Sequence, residues 1–252
     1  EAMKEAKRHG ARVVAITNVV GSSIAREADH VIYTWAGPEI AVASTKAYTT
    51  QMVILNLMAI DFAYKFGKIT KDEAVEDIKK LYDVEQSIQK MLEYDEKIKN
   101  AADKIKDSES MFYLGRGLDY VIAVEGALKS KEISYIHSEA FASGELKHGT
   151  IALITDGVPV VVNVTQSGLF EKSVSNIKEV TSRGAYVIAI AKEGNTVVEE
   201  VADEVFYIPD VEDDYAGFPT IVIHQLLAYY LSKLKRNDVD KPRNLAKSVT
   251  VE

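Results

Sequence analysis

The sequence contains no cysteine, one tryptophan and five prolines among 252 residues. The absence of cysteine excludes disulfides, thiolate metal sites and cysteine nucleophiles. The sequence also lacks the roughly 18-residue apolar run of a membrane-spanning helix and the apolar core of a signal peptide. A net charge of −8 argues against binding the phosphate backbone of nucleic acids. Together these absences predict a cytoplasmic protein with neither a membrane nor a nucleic acid as partner.

An internal repeat is present instead. The run Gly10–Ile16 resembles the run Gly184–Ile190, at an offset of 184 − 10 = 174, and Ala28–Tyr33 falls on Ala202–Tyr207 at the same offset. These are short β-branched runs with little polar alternation, which is typical of parallel strands covered on both faces. With 47% hydrophobic residues, the chain can form one large domain or two small ones. The repeat predicts two duplicated α/β units with parallel sheets flanked by helices.

The second copy has more elements before it than the first. They are predicted to be a strand at 111–114, a helix through Lys131, a strand at 157–164, a turn at 165–168 and a helix at about 169–183. The offset puts their counterparts in the first copy ahead of Glu1, so we expect an incomplete first unit and a truncated N-terminus. We predict a partial first domain at 1–68, a second domain with connecting helices and a five-stranded parallel sheet at 69–236, and a tail at 237–252. Helices are predicted at 1–8, about 41–66, within 71–106 and at 221–235.

The C-terminal tail has an unusual pattern for a chain end. A polar, proline-broken stretch at 238–243 is followed by small and apolar residues around a single amine, Lys247. Such a pattern predicts a tail that folds back and places Lys247 in a pocket.

The densest cluster of reactive side chains lies between Glu125 and Gly149. Lys129 and Glu132 are three residues apart on one helix face, and the spacing alone favours a surface ion pair. His148 precedes a glycine in a predicted loop, where it is well placed to titrate near neutrality. The other histidines, at positions 9, 30, 137 and 224, are interpreted as surface or packing residues, and no spacing suits a metal site.

Three segments carry a family resemblance, namely 36–51, 125–149 and 242–252. They resemble the isomerase halves of glucosamine-6-phosphate synthases, also called glutamine:fructose-6-phosphate aminotransferases (isomerizing). The resemblance implies two flavodoxin-like sugar isomerase (SIS) domains. It also implies a cytoplasmic homodimer that converts fructose 6-phosphate to glucosamine 6-phosphate in amino sugar biosynthesis. No cofactor or metal is implied, and a glutaminase domain is expected in the full-length parent.

The resemblance also implies roles for individual residues. Lys247 would form a Schiff base with the ketone, and Glu132 would move the proton between C1 and C2 with Lys129 beside it. Glu132 and Lys247 would then share one pocket, so the tail is expected to fold back over the carboxyl edge of a sheet. His148 would open the sugar ring from a neighbouring subunit. The expected substrate-binding positions are Val42 and Ala246, through their backbone, and Ser44.

Some features depart from that pattern and leave alternatives open. The family's phosphate loop would precede Glu1, so the fragment alone is expected to be inactive or impaired. The turn at 165–168 is interpreted as a relic of that loop which binds no phosphate. Two alternatives stay open. One is a standalone SIS isomerase or deglycase, and the other is a noncatalytic sugar-phosphate-binding module. Sequence upstream of Glu1 would decide, because a glutaminase domain supports the synthase and a helix-turn-helix supports the noncatalytic module.

Overall fold

The computed structural model describes residues 1–248, and the chain divides into two compact units, Glu1–Tyr82 and Asp83–Glu252. This division by contacts falls within helix α4, Lys71–Met91. The sequence-based limits at 1–68, 69–236 and 237–252 describe repeat units rather than contacts, and they stay predictions. Among the described residues, no helix is long and apolar enough to cross a membrane.

The first unit is thinly packed. Its elements before α4 are α1 (Ala2–Arg8), β1 (Val14–Thr17), α2 (Ser23–Glu27), β2 (His30–Tyr33) and α3 (Lys46–Lys65). Strands β1 and β2 form a two-stranded parallel sheet. Within residues 1–82 the buried apolar side chains are Ala15, Ala43, Ala74 and Leu81. With so few buried side chains and a sheet of two strands, the described part of this unit has only a small core.

Helix α3 begins at Lys46, later than the predicted start near Ala41. The Glu39 carboxylate accepts hydrogen bonds from the backbone N–H groups of Thr45, at 2.9 Å, and Ala47, at 3.2 Å. A carboxylate on the first N–H groups of a helix stabilises its beginning there. This cap accounts for the difference from the sequence prediction.

The second unit contains a five-stranded, all-parallel sheet, as predicted. Its strands are β3 (Ser110–Gly115), β4 (His137–Ala142), β5 (Pro159–Val164), β6 (Tyr186–Lys192) and β7 (Glu204–Ile208), in the order β4-β3-β5-β6-β7. This is the 2-1-3-4-5 order of flavodoxin-like folds. Strand β5 is buried along its whole length, because helices cover both faces of the sheet. The helices of this unit after α4 are α5 (Asp95–Ile105), α6 (Leu118–Ser134), α7 (Phe170–Thr181) and α8 (Gly217–Leu234).

The predicted repeat is confirmed at the level of strand register. In the first unit Val14 pairs with His30, and in the second Ile188 pairs with Glu204. Both members shift by the same amount, since 188 − 14 = 174 and 204 − 30 = 174. The two units therefore contain the same parallel strand pair.

Helix α6 is held close to α8 at Gly126. A Cβ atom at this position would lie 2.7 Å from Cγ of His224, so only glycine permits the observed approach. His224 is fully buried, and burial lowers its pKa to about 3, so its ring is neutral. Its Nε2 pairs with Oδ1 of Asn163 at 2.9 Å, which agrees with its interpretation as a packing residue. This contact helps to fix the position of α6, which carries the candidate site.

Candidate active site

Three charged side chains share one face of α6. Glu125, Lys129 and Glu132 lie at i, i+4 and i+7, so they are neighbours on the helix surface. Nζ of Lys129 is 2.7 Å from Oε2 of Glu132 and 3.4 Å from Oε1 of Glu125. The Lys129 side chain is only 4% exposed. The spacing-based interpretation as a surface ion pair is therefore wrong: the lysine is a buried cation between two carboxylates.

Glu125 and Glu132, the two glutamates of this triad, differ in their burial. Burial raises the pKa of Glu125, and the nearby Lys129 opposes that rise. The Glu132 side chain is 21% exposed and the Glu125 side chain is 15% exposed. Glu132 is thus the more accessible carboxylate, and it is held in place by a buried ammonium group. A carboxylate in this setting can take a proton from a bound ligand.

The segment after α8 contacts the C-terminal end of α6. Nδ2 of Asn237 donates to the carbonyl oxygens of Ile133, at 3.0 Å, and Ser134, at 3.3 Å. Further along, the backbone N–H of Arg243 donates to the Tyr135 hydroxyl at 2.8 Å, and its guanidinium lies 4.1 Å from the centre of the Tyr135 ring. Cation–π stacking and two carbonyl contacts anchor the tail within one helical turn of Glu132.

This anchor places the beginning of the tail near Glu132, the candidate base. Lys247 follows Arg243 by four residues, and both Ala246 and Lys247 are exposed. Because α6 starts after the carboxyl end of β3 and runs back towards β4, its last turn lies at the amino edge of this sheet. The contacts that Asn237 and Arg243 make therefore lie at the amino edge of this sheet and not at the expected carboxyl edge. Residues 249–252 of the predicted tail lie outside the described residues.

His148 lies elsewhere in the same unit. It is the last residue of a 3₁₀ helix, Ser143–His148, which follows the carboxyl end of β4. Glu132 is near the opposite edge of the sheet, so the chain does not bring these two side chains together. This arrangement agrees with the expectation that His148 serves a site on another subunit, although that role stays a prediction.

The remaining predicted site residues belong to the first unit. Val42 and Ser44 lie in the segment between β2 and α3, and both are partly buried. Oγ of Ser44 donates to Oε2 of Glu39 at 3.2 Å, so this serine helps to order the segment that begins α3. The sugar-binding roles of both residues stay predictions.

Some site residues were not predicted. Glu125 was visible in the sequence four residues before Lys129, but that spacing fits an exposed pair equally well. Tyr135, Asn237 and Arg243 gave no signal, because their contacts join positions more than 100 residues apart.

The family of the chain follows from comparison with known proteins. The SIS domain model matches residues 1–61 and 104–234. The chain belongs to the SIS domain family. The two matched segments contain the repeated strand pair of the first unit and the whole sheet of the second, which explains the duplicated pattern.

Individual SIS proteins give a closer match. The chain is 58% identical to glutamine–fructose-6-phosphate aminotransferase [isomerizing] from Caldanaerobacter subterraneus subsp. tengcongensis over 251 residues, which is 100% of this chain and 41% of that protein. It superposes on the C-terminal domain of glucosamine-fructose-6-phosphate aminotransferase from Francisella tularensis with a TM-score of 0.90 and 38% identity, covering 96% of this chain and 69% of that one. The resemblance to the isomerase halves of these enzymes is confirmed. The chain spans about two fifths of the length of the curated relatives it matches.

The solved structure of an enzyme named for a different activity is also similar to this chain. Glucosamine-6-phosphate deaminase from Thermotoga maritima is 25% identical to this chain, with a TM-score of 0.76, over 98% of this chain and 70% of that one. The same fold therefore occurs in proteins named for different reactions on sugar phosphates.

The buried triad predicts an effect on stability. Lys129→Met is expected to lower the free energy of unfolding by about 3 kcal/mol at pH 7, because two partly buried carboxylates lose their counter-ion. Folding would then raise the pKa of Glu125 further, and a raised carboxyl pKa destabilises as pH rises through it, so the loss should shrink at acidic pH. Urea denaturation at several pH values measures both effects.

A matched control uses an exposed pair with the same spacing. Nζ of Lys99 is 3.3 Å from Oε1 of Glu96, and both side chains are largely exposed. Lys99→Met should cost less than about 1 kcal/mol. Equal losses for the two variants would contradict the view that Lys129 is a structurally required buried cation.

Proposed function

We propose that this chain is the isomerase part of a glucosamine-6-phosphate synthase, in which fructose 6-phosphate is isomerised and aminated to glucosamine 6-phosphate. The observation that carries the proposal is the convergence of two features at the end of α6. One is the buried Lys129 that holds the accessible Glu132, and the other is the tail anchored on Tyr135. The relatives named above support the same activity.

The proposed chemistry divides between the two features. The amine of Lys247 adds to the C2 ketone of the open-chain sugar and releases water, which gives an iminium that withdraws electrons from C1. Ammonia then replaces the lysine amine at C2, which frees Lys247 and leaves an imine of ammonia at that carbon. Glu132 takes the proton from C1 and returns it at C2, and the C1 hydroxyl loses its proton, so that C1 becomes the aldehyde and C2 carries the amino group. Lys129 keeps the Glu132 carboxylate oriented through the contact of 2.7 Å between Nζ and Oε2. The nitrogen of the product would come from glutamine through a glutaminase domain of the full-length enzyme.

The proposal also includes a homodimer with shared sites. His148 would open the sugar ring of the site that contains Glu132 of the partner subunit, because the chain itself separates the two side chains. Val42, Ser44 and Ala246 would contact the sugar, as the family resemblance implies.

An assay of the full-length enzyme tests the function. With fructose 6-phosphate and glutamine, the synthase should form glucosamine 6-phosphate and glutamate. A deglycase, the alternative supported by the similarity to the Thermotoga maritima deaminase, would release ammonia from glucosamine 6-phosphate and would not use glutamine. If the enzyme releases ammonia from glucosamine 6-phosphate but forms no glucosamine 6-phosphate from fructose 6-phosphate and glutamine, the deglycase alternative would replace the synthase proposal.

Mixed dimers test the shared site. The variants His148→Ala and Glu132→Gln should each be nearly inactive as homodimers. If the two side chains act across the dimer, dissociation and random reassociation of an equal mixture should restore about a quarter of the wild-type activity, because half of the dimers are mixed and each mixed dimer has one intact site. No recovery in a mixture whose subunit exchange is verified by mass spectrometry would show that His148 serves the site of its own chain, and an active His148→Ala homodimer would show that it has no role.

A further inference from the structure

The loop after β5 lies where a flavodoxin-like sheet ordinarily binds its ligand. Residues 165–168 connect the carboxyl end of β5 to α7, and β5 is adjacent to β3, where the strand order reverses. Ligands of open α/β sheets bind at this switch point, and the N–H groups ahead of a helix favour anions. In the present chain the donors of this loop bind side chains of the protein itself.

The first part of the loop binds Asp119, in the first turn of α6. Oδ2 of Asp119 accepts from the backbone N–H of Thr165 at 2.8 Å and from that of Gln166 at 3.3 Å, and Oδ1 accepts from the Thr165 hydroxyl. Asp119 is buried, and burial raises its pKa against the opposing effect of these hydrogen bonds. An internal carboxyl group therefore takes up the first donors of the loop.

The second part of the loop binds Asp213, which lies between β7 and α8. The backbone N–H of Ser167 donates to Oδ2 of Asp213 at 2.9 Å, and the Ser167 hydroxyl donates to Oδ1 at 2.8 Å. Nζ of the buried Lys192 is 2.6 Å from the same Oδ1. Partial burial works to raise the pKa of Asp213, but Lys192 and Ser167 outweigh it and lower that pKa overall.

These contacts resemble those of a bound phosphate group. Three successive backbone N–H groups, two hydroxyl groups and one lysine all point at acidic side chains. A phosphate ester offers three acceptor oxygens to such a set, and the two carboxyl groups together offer four. We propose that Asp119 and Asp213 act as built-in anions that fill the anion loop of the second unit, so that this unit excludes sugar phosphates and leaves substrate binding to the site of the proposed function.

Asp213 is the member of the pair that controls access. Asp119 is anchored in α6 and is 2% exposed, whereas the Asp213 side chain is 34% exposed and belongs to a connecting segment. Removal of its carboxylate would leave the Ser167 N–H, the Ser167 hydroxyl and the buried Lys192 around an open space. Those three groups are the donors that a phosphate needs.

The proposal rests on the proposed function only in its statement that the substrate binds at the other site. Its test measures phosphate binding and needs no catalytic turnover. The 252-residue chain is titrated with inorganic phosphate, and the backbone amide signals of Thr165, Gln166 and Ser167 are followed by NMR. The wild type should show no saturable shift at these amides. Asp213→Ala should show a saturable shift that reaches its half-maximum at a phosphate concentration at least about tenfold below the highest concentration at which the wild type shows no saturation.

Two further variants keep the outcome decisive. Asp214→Ala removes the exposed neighbouring carboxylate and should behave as the wild type does. If Asp213→Ala does not fold, Asp213→Ser keeps a hydroxyl oxygen that can accept from a neighbouring donor, shortens the side chain and removes the charge, and it should still gain a phosphate-dependent shift. Saturable shifts in the wild type, or none in a folded Asp213 variant, would overturn the proposal. A failed synthase assay with a positive titration would reject the enzyme function and leave this inference intact.

Discussion

Lys247→Arg is expected to reduce glucosamine 6-phosphate synthesis by the full-length enzyme at least about 10³-fold, as is usual when a covalent catalytic group is lost. Arginine keeps the positive charge, but its guanidinium stays protonated and does not form an imine with a ketone. The anchor of the tail, between Arg243 and Tyr135, is unchanged in this variant. The loss would therefore report the missing amine rather than a displaced tail.

Borohydride trapping distinguishes a covalent amine at Lys247 from a lysine that only binds charge. With fructose 6-phosphate present, the reductant should attach the sugar covalently to the wild-type chain and not to the Lys247→Arg variant, as read by intact-protein mass spectrometry. Lys241→Arg, another exposed lysine of the tail, should retain both labelling and activity. If Lys247→Arg keeps more than about a tenth of the activity, Lys247 binds charge and is not the covalent amine.

The fold was largely predictable because its strongest signals are local. The β-branched runs of β1, β2, β6 and β7 repeat at one offset, and the structure reproduces that offset in the strand register. Strand β4 was not assigned, because its sequence, His137–Ala142, mixes polar and apolar residues at a sheet edge. The predicted count of five strands was nevertheless correct, because the flavodoxin-like domain that the family resemblance implies has a five-stranded parallel sheet.

The site was less predictable, because helix spacing does not show which face of a helix is buried. Apolar side chains on α6 remain exposed, among them Val121 and Val124, whereas Lys129 is buried. The hydrophobic pattern thus gave no reason to place a charged triad inside. Packing against α8, including the contact of Gly126 with His224, determines the orientation of the helix, and that contact depends on residues about 100 positions apart.

The position of the tail could not be read from its own residues either. Its small and apolar end suggested an ordered segment, but the partner is Tyr135, at the end of α6, where the backbone is left-handed with φ of 62°. An arginine stacked on that ring joins two parts of the chain that share no local signal. The family resemblance named both Glu132 and Lys247, and the anchor gives a physical reason why they can belong to one site.

Glu132→Gln is expected to lower synthase activity by about 10²- to 10⁴-fold, the usual contribution of a general base. Glutamine keeps the size of the side chain and an oxygen that can accept from Lys129, so α6 should keep its packing. Borohydride labelling at Lys247 should persist, because imine formation precedes the C1–C2 proton transfer. Solvent deuterium should no longer enter the sugar during turnover.

The matched control is Glu125→Gln, which removes the less exposed carboxylate of the same triad and should cost less activity. A loss below about tenfold for Glu132→Gln is too small for a general base, and it would reduce the triad to a structural element that supports the end of α6.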